Sequence, residues 1–492
     1  MSQTHFKMLI GGQQVDALSG RTYASQNPAT GEAWAILPDA DAQDADRAVR
    51  AAHDAFRSSA WRGLTATARG KLLRKLGDLV AQHGQELAEL ETRDNGKLIR
   101  ETRGQLAYLP EFFHYAGGLA DKLEGSTLPI DKADMFAFTV PEPLGVVAAI
   151  IPWNSPLYLT AIKLAPALAA GNTIVVKPSE HASASILRFA ALAKEAGFPD
   201  GVVNVVTGFG AGAGAALTSH PLVRRVAFTG GPSTARHVIR ATADNFAKLS
   251  LELGGKSANI VFDDADLEGA VNGAVAGVYA ASGQSCVAGS RLLVQAGIYD
   301  RFVAALKERM ACIAIGDPLD PASDMGPMAT EQQLGIVETM VARAREQGAE
   351  VLAGGQRPAG REGWFYEPTL IAAETLTLDI VQNEVFGPVA AIMRFETEAE
   401  ALELANGTEY ALAAGIWTRD MARGHRFARD VHAGIVWVNT YRAVSAMAPI
   451  GGYGASGYGR EGGIHAVLDY TELKTVWVNL SEQPMGDPFV MR

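Results

Sequence analysis

Between residues 143 and 253 the chain alternates strand and helix without a break, and few folds accept that pattern. A buried run, "LGVVAAII", stops at Pro152. "NTIVVKPSE" is a short β-branched strand ended by Lys177-Pro178, and "SASILRFAALAKEAGFP" is an amphipathic helix closed by Gly197 and Pro199. The strand "GVVNVVTG", the short helix "GAGAALTSHP", the strand "VRRVAFTG", the helix "GPSTARHVIRATADN" and the strand "KLSLELGG" follow. Strands that recur with a helix between each pair are joined by crossovers. The pattern predicts an α/β fold with a doubly wound parallel sheet.

The flanks differ in texture. Residues 41 to 120 read as helices, with apolar residues three and four apart in "DADRAVRAAHDAFRSS" and "ATARGKLLRKLGDLVAQHGQELAELETRD". After 254 the βα texture restarts and runs to about 453, through the helix "YDRFVAALKERMA" and the strands "RLLVQAGI", "AAGIWT" and "GIVWVN", which predicts a second α/β domain. The tail, "LDYTELKTVWVNL", alternates like an exposed strand, and a long edge strand invites pairing with another chain. A net charge of −11 gives no electrostatic reason to bind nucleic acid, and the one dense basic stretch, Arg62 to Arg74, reads as a solvated helix face. No apolar run reaches the roughly 20 residues of a membrane span. The N-terminus lacks a signal-peptide pattern. Two cysteines, Cys286 and Cys312, make neither a disulfide framework nor a zinc site, so a reducing cytoplasm is the expected home.

Three stretches and a glycine-rich pair carry chemistry. In "ASGQSCVAGSR" Cys286 sits among small residues, notably Gly283 and Ser285, which leave room for a substrate carbonyl. It reads as either a small packed side chain or a nucleophile. Cys312, in "MACIAIGDP", reads as a packing residue. In "LELGGKS" Glu252 ends an apolar strand: an outward carboxylate, or a base whose pKa burial raises. In "IIPWNSP" Asn154 serves a turn or donates its amide to an oxyanion. "TGFGAGAG" holds Gly210 and Gly214 in a loose imitation of a dinucleotide fingerprint. "FTGGPST" is the better phosphate candidate, because a strand and a flexible turn lead into a helix N-terminus.

Taken in order, "NPATGE", "PWN", "KPSE", "FTG", "LELGGK", "GQSC", "EVFGP", "SGYGRE" and "YTELKTV" resemble the NAD(P)-dependent aldehyde dehydrogenase superfamily over nearly the whole chain. The resemblance implies a Rossmann-like cofactor-binding domain (1–123 and 143–253), a catalytic domain (254–453) and a small β oligomerisation element (124–142 and 454–492). It implies Cys286 as nucleophile, Glu252 as general base, Asn154 with the Cys286 N–H as oxyanion hole, and Lys163 with Glu461 as a proton-handling pair. Against the cofactor it places Ile151, Pro152, Trp153, Lys177, Glu180, Gly210, Gly214, Phe228, Thr229, Gly230, Ser233, Leu253, Gly254, Glu384 and Phe386. Glu180 would bond ribose hydroxyls and repel a 2′-phosphate, which favours NAD over NADP. Along the substrate path it places Tyr158, Ser285, Val287, Tyr441, Arg442 and Val444, with Arg442 a possible anchor for a semialdehyde's carboxylate or part of a subunit contact. No metal is implied. The expected activity is oxidation of an aldehyde to the acid through a thioester that water hydrolyses, in a homodimer or homotetramer. A CoA-acylating semialdehyde dehydrogenase and a non-catalytic binding member are the alternatives; Glu252 speaks against the first, because acylating relatives typically lack that base, and the presence of both Cys286 and Glu252 speaks against the second. Three positions depart from the family pattern. Gly231 replaces the hydroxyl residue usual after "FTG", and Ile450 and Gly454 replace the aromatic and lysine of the late glycine motif.

Overall fold

The five strands of the alternating region are Val146–Ile151, Thr173–Pro178, Val203–Val205, Val223–Thr229 and Lys248–Glu252. The structure, a computed structural model, describes residues 4–484 and 486–490; residues 1–3, 485 and 491–492, within segments assigned above to the cofactor-binding domain and the tail, lie outside the described residues. All five strands pair in parallel. The chain starts in mid-sheet with Val146–Ile151 and lays the next two strands to one side. It then returns to place Val223–Thr229 and Lys248–Glu252 on the other. That reversal opens a crevice between the carboxyl ends of Val146–Ile151 and Val223–Thr229, the position where doubly wound sheets hold ligands. Both faces of the sheet are covered. Val146, Val147, Ala148 and Ala149 are therefore all buried, and the strand reads as a continuous apolar run rather than an alternation.

Two additions to this sheet were not legible. The hairpin Met8–Ile10 and Gln13–Val15 extends one edge antiparallel, and Gly457–Tyr458 caps the other against Lys248–Glu252. Strands of two or three residues carry too little periodicity to read. Thr22–Gln26 and Ala33–Pro38 make a further small sheet with Thr4–His5.

Residues 41 to 120 are helical as expected. Asp41 caps Ala42–Arg57 in a capping box with Asp44, and Ala45, Ala48, Val49, Ala52 and Ala55 form its buried face. The long stretch after it is two helices, Ala66–Gln82 and Gly84–Asn95, interrupted at His83. The basic face is solvated except at Arg69, which folds inward to donate to the Leu64 carbonyl.

The second region is a sheet of six parallel strands: Thr369–Ala372, Val389–Phe395, Arg291–Gln295, Ala258–Val261, Ala413–Trp417 and Ile435–Val438. Glu350–Ala353 adds an antiparallel edge. The tail strand Thr471–Asn479 pairs antiparallel with the whole of Met135–Pro143, leaving Leu473, Trp477 and Val478 exposed at the sheet edge. Cys312 is a correction: it is exposed just after helix Tyr299–Ala311, where the last inward residue is Met310, and its thiol donates to the Glu308 carbonyl at 3.4 Å. Among the described residues no helix is long and apolar enough to cross a membrane.

Candidate active site

Glu252 is the last residue of its strand, and Asn154 follows Val146–Ile151 by three positions, so both sit at the carboxyl edge of the first sheet. Cys286 lies in the loop that enters strand Arg291–Gln295, at the amino edge of the second sheet. The two edges meet across a cavity of about 470 Å³ lined by Asn154, Glu252, Cys286, Glu384 and Phe386, together with the turn Thr229–Ser233.

The cysteine loop is held in an unusual backbone. Ala281 and Ser282 have φ of 51° and 54°, a left-handed conformation costly for residues with a Cβ. The Ser282 hydroxyl donates to the Gly326 carbonyl, and the Ala329 N–H donates to the Gln284 side chain, which pins the loop. Gly283 has a different role from the one its size suggests. A Cβ there would lie 2.0 Å from the Gly387 carbonyl oxygen, so the glycine admits the loop that carries Glu384 and Phe386, not substrate. Asn154 donates its amide to the Gln284 carbonyl at 3.1 Å. One N–H of the amide is thereby fixed, and the other remains for a ligand. The Cys286 thiol is half-buried. Its pKa is pushed up to about 12, first by desolvation and then by the Glu384 and Glu252 carboxylates.

Glu252 is buried, and its Oε1 has no hydrogen-bond partner. Burial, and next the charge of Glu461, hold its carboxyl well above the usual range, against the pull of Lys163 and Arg460. Lys163 is fully buried on helix Pro156–Ala169; it donates to the Thr229 hydroxyl at 2.7 Å and pairs with Glu461. Lys163 thus pairs directly with Glu461 and reaches Glu252 only through its charge.

The remaining expected cofactor residues divide. Pro152, Trp153, Thr229, Gly230, Ser233, Leu253 and Gly254 line the cavity with Glu384 and Phe386. The Gly255 N–H donates to Glu384 at 3.0 Å, and a Cβ on Gly254 would fall 2.1 Å from the same carboxylate, so the carboxylate fits only against glycine. Burial raises its pKa to about 7. Phe386 has φ of 53° and meets Trp153 edge-on at 5.3 Å. Ile151 and Phe228 are buried with side chains in the core and do not line the cavity. Lys177, 3.5 Å from Glu180, lies further along the same edge, next to the turn Gly210–Gly214. A pocket with a helix start, a buried carboxylate and a glycine cradle fits a dinucleotide. Sequence reading missed Gln333, which lines the cavity and donates to the carbonyls of Val385 and Phe386, and also missed Tyr410.

The residues expected along the substrate path are scattered in depth. Tyr441 is buried behind the cysteine loop, donating to the Val287 carbonyl at 3.0 Å. Val444 is exposed, and Ser285, Val287 and Tyr158 are half-buried. Arg442 donates to the Ala276 carbonyl at 3.1 Å.

A family model described as aldehyde dehydrogenase family matches residues 15–476. The chain is 53% identical to the (Z)-2-((N-methylformamido)methylene)-5-hydroxybutyrolactone dehydrogenase of Acinetobacter baylyi, with 99% of each chain covered. It is 42% identical to aldehyde dehydrogenase family 2 member C4 of Arabidopsis thaliana, covering 97% of this chain and 96% of that one. Among solved structures, the NAD+ complex of an aldehyde dehydrogenase from Bacillus cereus superposes with a TM-score of 0.95 at 42% identity, with 97% of each chain covered.

Proposed function

The chain belongs to the aldehyde dehydrogenase family, and on that premise we propose that it oxidises an aldehyde to the carboxylic acid with NAD, using Cys286, Glu252 and Asn154. The observation that carries this reading is the convergence of a thiol, a buried unpartnered carboxylate and a half-free amide on one cavity from three separate elements.

Cys286 Sγ, once deprotonated, bonds to the aldehyde carbon, and the carbonyl pair moves onto oxygen. The free Asn154 N–H and the Cys286 backbone N–H donate to that oxyanion; one such donor contributes about 3–4 kcal/mol. Trp153, Glu384 and Phe386 would hold NAD, which would supply the hydride acceptor and a positive ring to offset the carboxylates that disfavour the thiolate. Loss of the hydride leaves a thioester on Cys286. Glu252 takes a proton from water as its oxygen attacks the thioester carbon, the C–S bond breaks, and the acid leaves. Lys163 and Glu461 stand behind Glu252 and hold a route for its proton.

NAD is supported by Glu180 beside Lys177, where a 2′-phosphate would meet a carboxylate, and by the NAD+ complex of the similar Bacillus enzyme. An aldehyde that bears a carboxylate is supported by the name of the Acinetobacter relative, because a 5-hydroxybutyrolactone is the ring-closed form of a 4-oxo acid. The exposed apolar edge Leu473, Trp477 and Val478 supports a homo-oligomer built through the tail strand, dimer or tetramer. Two free thiols support a cytoplasmic home. The deciding assay is NADH release with and without CoA, with the product identified. Free acid formed without CoA is the expected result; strict dependence on CoA would show that the thioester passes to CoA instead of water.

A further inference from the structure

The junction between helices Gly84–Asn95 and Ile99–Tyr108 takes no part in the chemistry above, yet it grips both loops that carry it. Asn95 is buried, and its side-chain amide donates to the carbonyl of Trp153, the residue before Asn154, at 3.0 Å. Its Oδ1 accepts from the Lys97 N–H at 3.0 Å, so both ends of the amide are engaged. In the first turn of the second helix, Glu101 Oε1 accepts from the Ala281 N–H at 2.8 Å, in the loop that leads to Cys286. The turn between Asn95 and Glu101 is wedged in place. A Cβ on Gly96 would lie 2.7 Å from Pro327 Cγ, and one on Gly326 would lie 2.3 Å from the Gly96 carbonyl oxygen.

Three hydrogen bonds thereby close a frame. Asn95 holds the Trp153 carbonyl, Asn154 holds the Gln284 carbonyl at 3.1 Å, and Glu101 holds the Ala281 N–H. The first sheet's oxyanion donor and the second sheet's nucleophile are thus tied to each other and to one helix junction. The Glu101 bond falls where the loop needs it most. Ala281 and Ser282 both sit at positive φ, and such residues persist only where their neighbours over-determine them. A charge-assisted acceptor on the first of the two supplies that restraint. Stability of the helix layer does not account for this carboxylate. Its Oε1 is committed to Ala281, and its Oε2 is buried with no hydrogen-bond partner, a cost that an apolar side chain would avoid.

We propose that Glu101 is a positioning residue for the reaction: by holding Ala281 it keeps the cysteine loop where the Cys286 thiol and the free Asn154 N–H address one carbonyl. The proposal rests on the dehydrogenase reading above and adds to it a residue outside the cavity lining. Without the brace, Ala281 is free to relax to negative φ. A displacement of about 1 Å at the reacting atoms can lower the rate by about 10²-fold. The loss falls on the steps up to hydride transfer. The NAD side of the cavity, lined by Glu384, Phe386 and the turn Thr229–Ser233, has no bond to Glu101 and keeps its affinity.

The test uses the full chain with NAD and whichever of acetaldehyde, benzaldehyde and 4-oxobutanoate the parent oxidises fastest. Stopped-flow traces give the rate of the first NADH pulse, and protein fluorescence gives the affinity for NAD. Glu101→Ala is expected to slow the first pulse by about tenfold or more, the loss of one hydrogen bond to a charged group, with NAD affinity unchanged. Glu101→Gln, which keeps an acceptor oxygen, should restore part of the rate. Adding Ala281→Gly to Glu101→Ala should also restore part of it, because glycine adopts φ of 51° without a brace. A side chain serving only the fold would shift the unfolding temperature and leave the pulse of the folded protein alone. If Glu101→Ala does not fold, Glu101→Asp, a methylene too short to reach Ala281, takes its place with the same expectation. A first pulse within about threefold of the parent in Glu101→Ala overturns the brace while leaving the dehydrogenase reading intact, and so does a slow pulse that neither Glu101→Gln nor Ala281→Gly restores. A parent that releases no NADH with any of the three aldehydes overturns the dehydrogenase reading and the brace together.

Discussion

The two parallel sheets meet the same cavity from opposite chemical ends. The first presents its carboxyl edge, where Asn154, Thr229 and Glu252 follow or end strands; the second presents its amino edge, where Cys286 and Glu384 precede strands. Ligand sites of open sheets belong at carboxyl edges, so the first sheet behaves by rule and the second does not. The difference teaches what each edge supplies. A carboxyl edge offers a crevice and a helix start for phosphates. An amino edge has neither, and its residues are instead set by strained, cross-braced loops: Ala281 and Ser282 at positive φ, and Gly283 pressed against Gly387.

Removing the second sheet's contribution should separate chemistry from binding most sharply. Cys286→Ala is expected to lower turnover by on the order of 10⁵-fold or more while NAD still binds, measured by NADH release beside a titration of NAD against protein fluorescence. Cys312→Ala, the exposed cysteine, is its control and should turn over normally. Full-rate turnover in Cys286→Ala would return the chemistry to the first sheet alone.

A smaller loss tests the first sheet. Glu252→Gln should spare the first pulse of NADH and slow steady turnover by about 10²- to 10⁴-fold, seen in stopped-flow traces. Because the folded-state pKa of Glu252 is raised, its carboxyl keeps a proton at pH values where a free glutamate is already ionised. Thioester hydrolysis needs the anion. Steady turnover should therefore rise with pH through that raised value, and the acid limb should vanish in Glu252→Gln. If the first pulse itself disappears, Glu252 acts before hydrolysis.

The smallest effect concerns the phosphate turn of the first sheet. A Cβ on Gly231 would meet nothing within 4 Å, so a side chain fits there. Gly231→Ser should lower KM for NAD by roughly 2- to 10-fold, one hydrogen bond's worth, with kcat little changed. A raised KM would mean that backbone N–H groups alone suit this turn better.

Legibility followed the range of the interaction. The leucines around Glu252 and the strand–helix alternation placed Glu252 at a strand end, because both depend on neighbours a few positions away, but they left its burial and the role of Asn154 open. Ile151 and Phe228, which the resemblance placed against the cofactor, have their side chains in the core. Their burial depends on which side of the sheet they face. Gln333 gave no local signal and is known only by the loop it braces.

The sequence by itself determined two α/β regions, the helical 41–120 segment and the residue types fit for nucleophile, base and oxyanion donor, since these follow from periodicities of two and 3.6 residues and from side-chain chemistry. Only the tertiary structure decided that one sheet's carboxyl edge would face the other's amino edge. It also buried Lys163 against Glu461, 298 residues away, a pair that the residues themselves gave no local sign of and only the family resemblance named. The reason is physical: propensity and amphipathicity act between near neighbours, whereas a buried ion pair or a braced loop exists only once distant segments have closed around it.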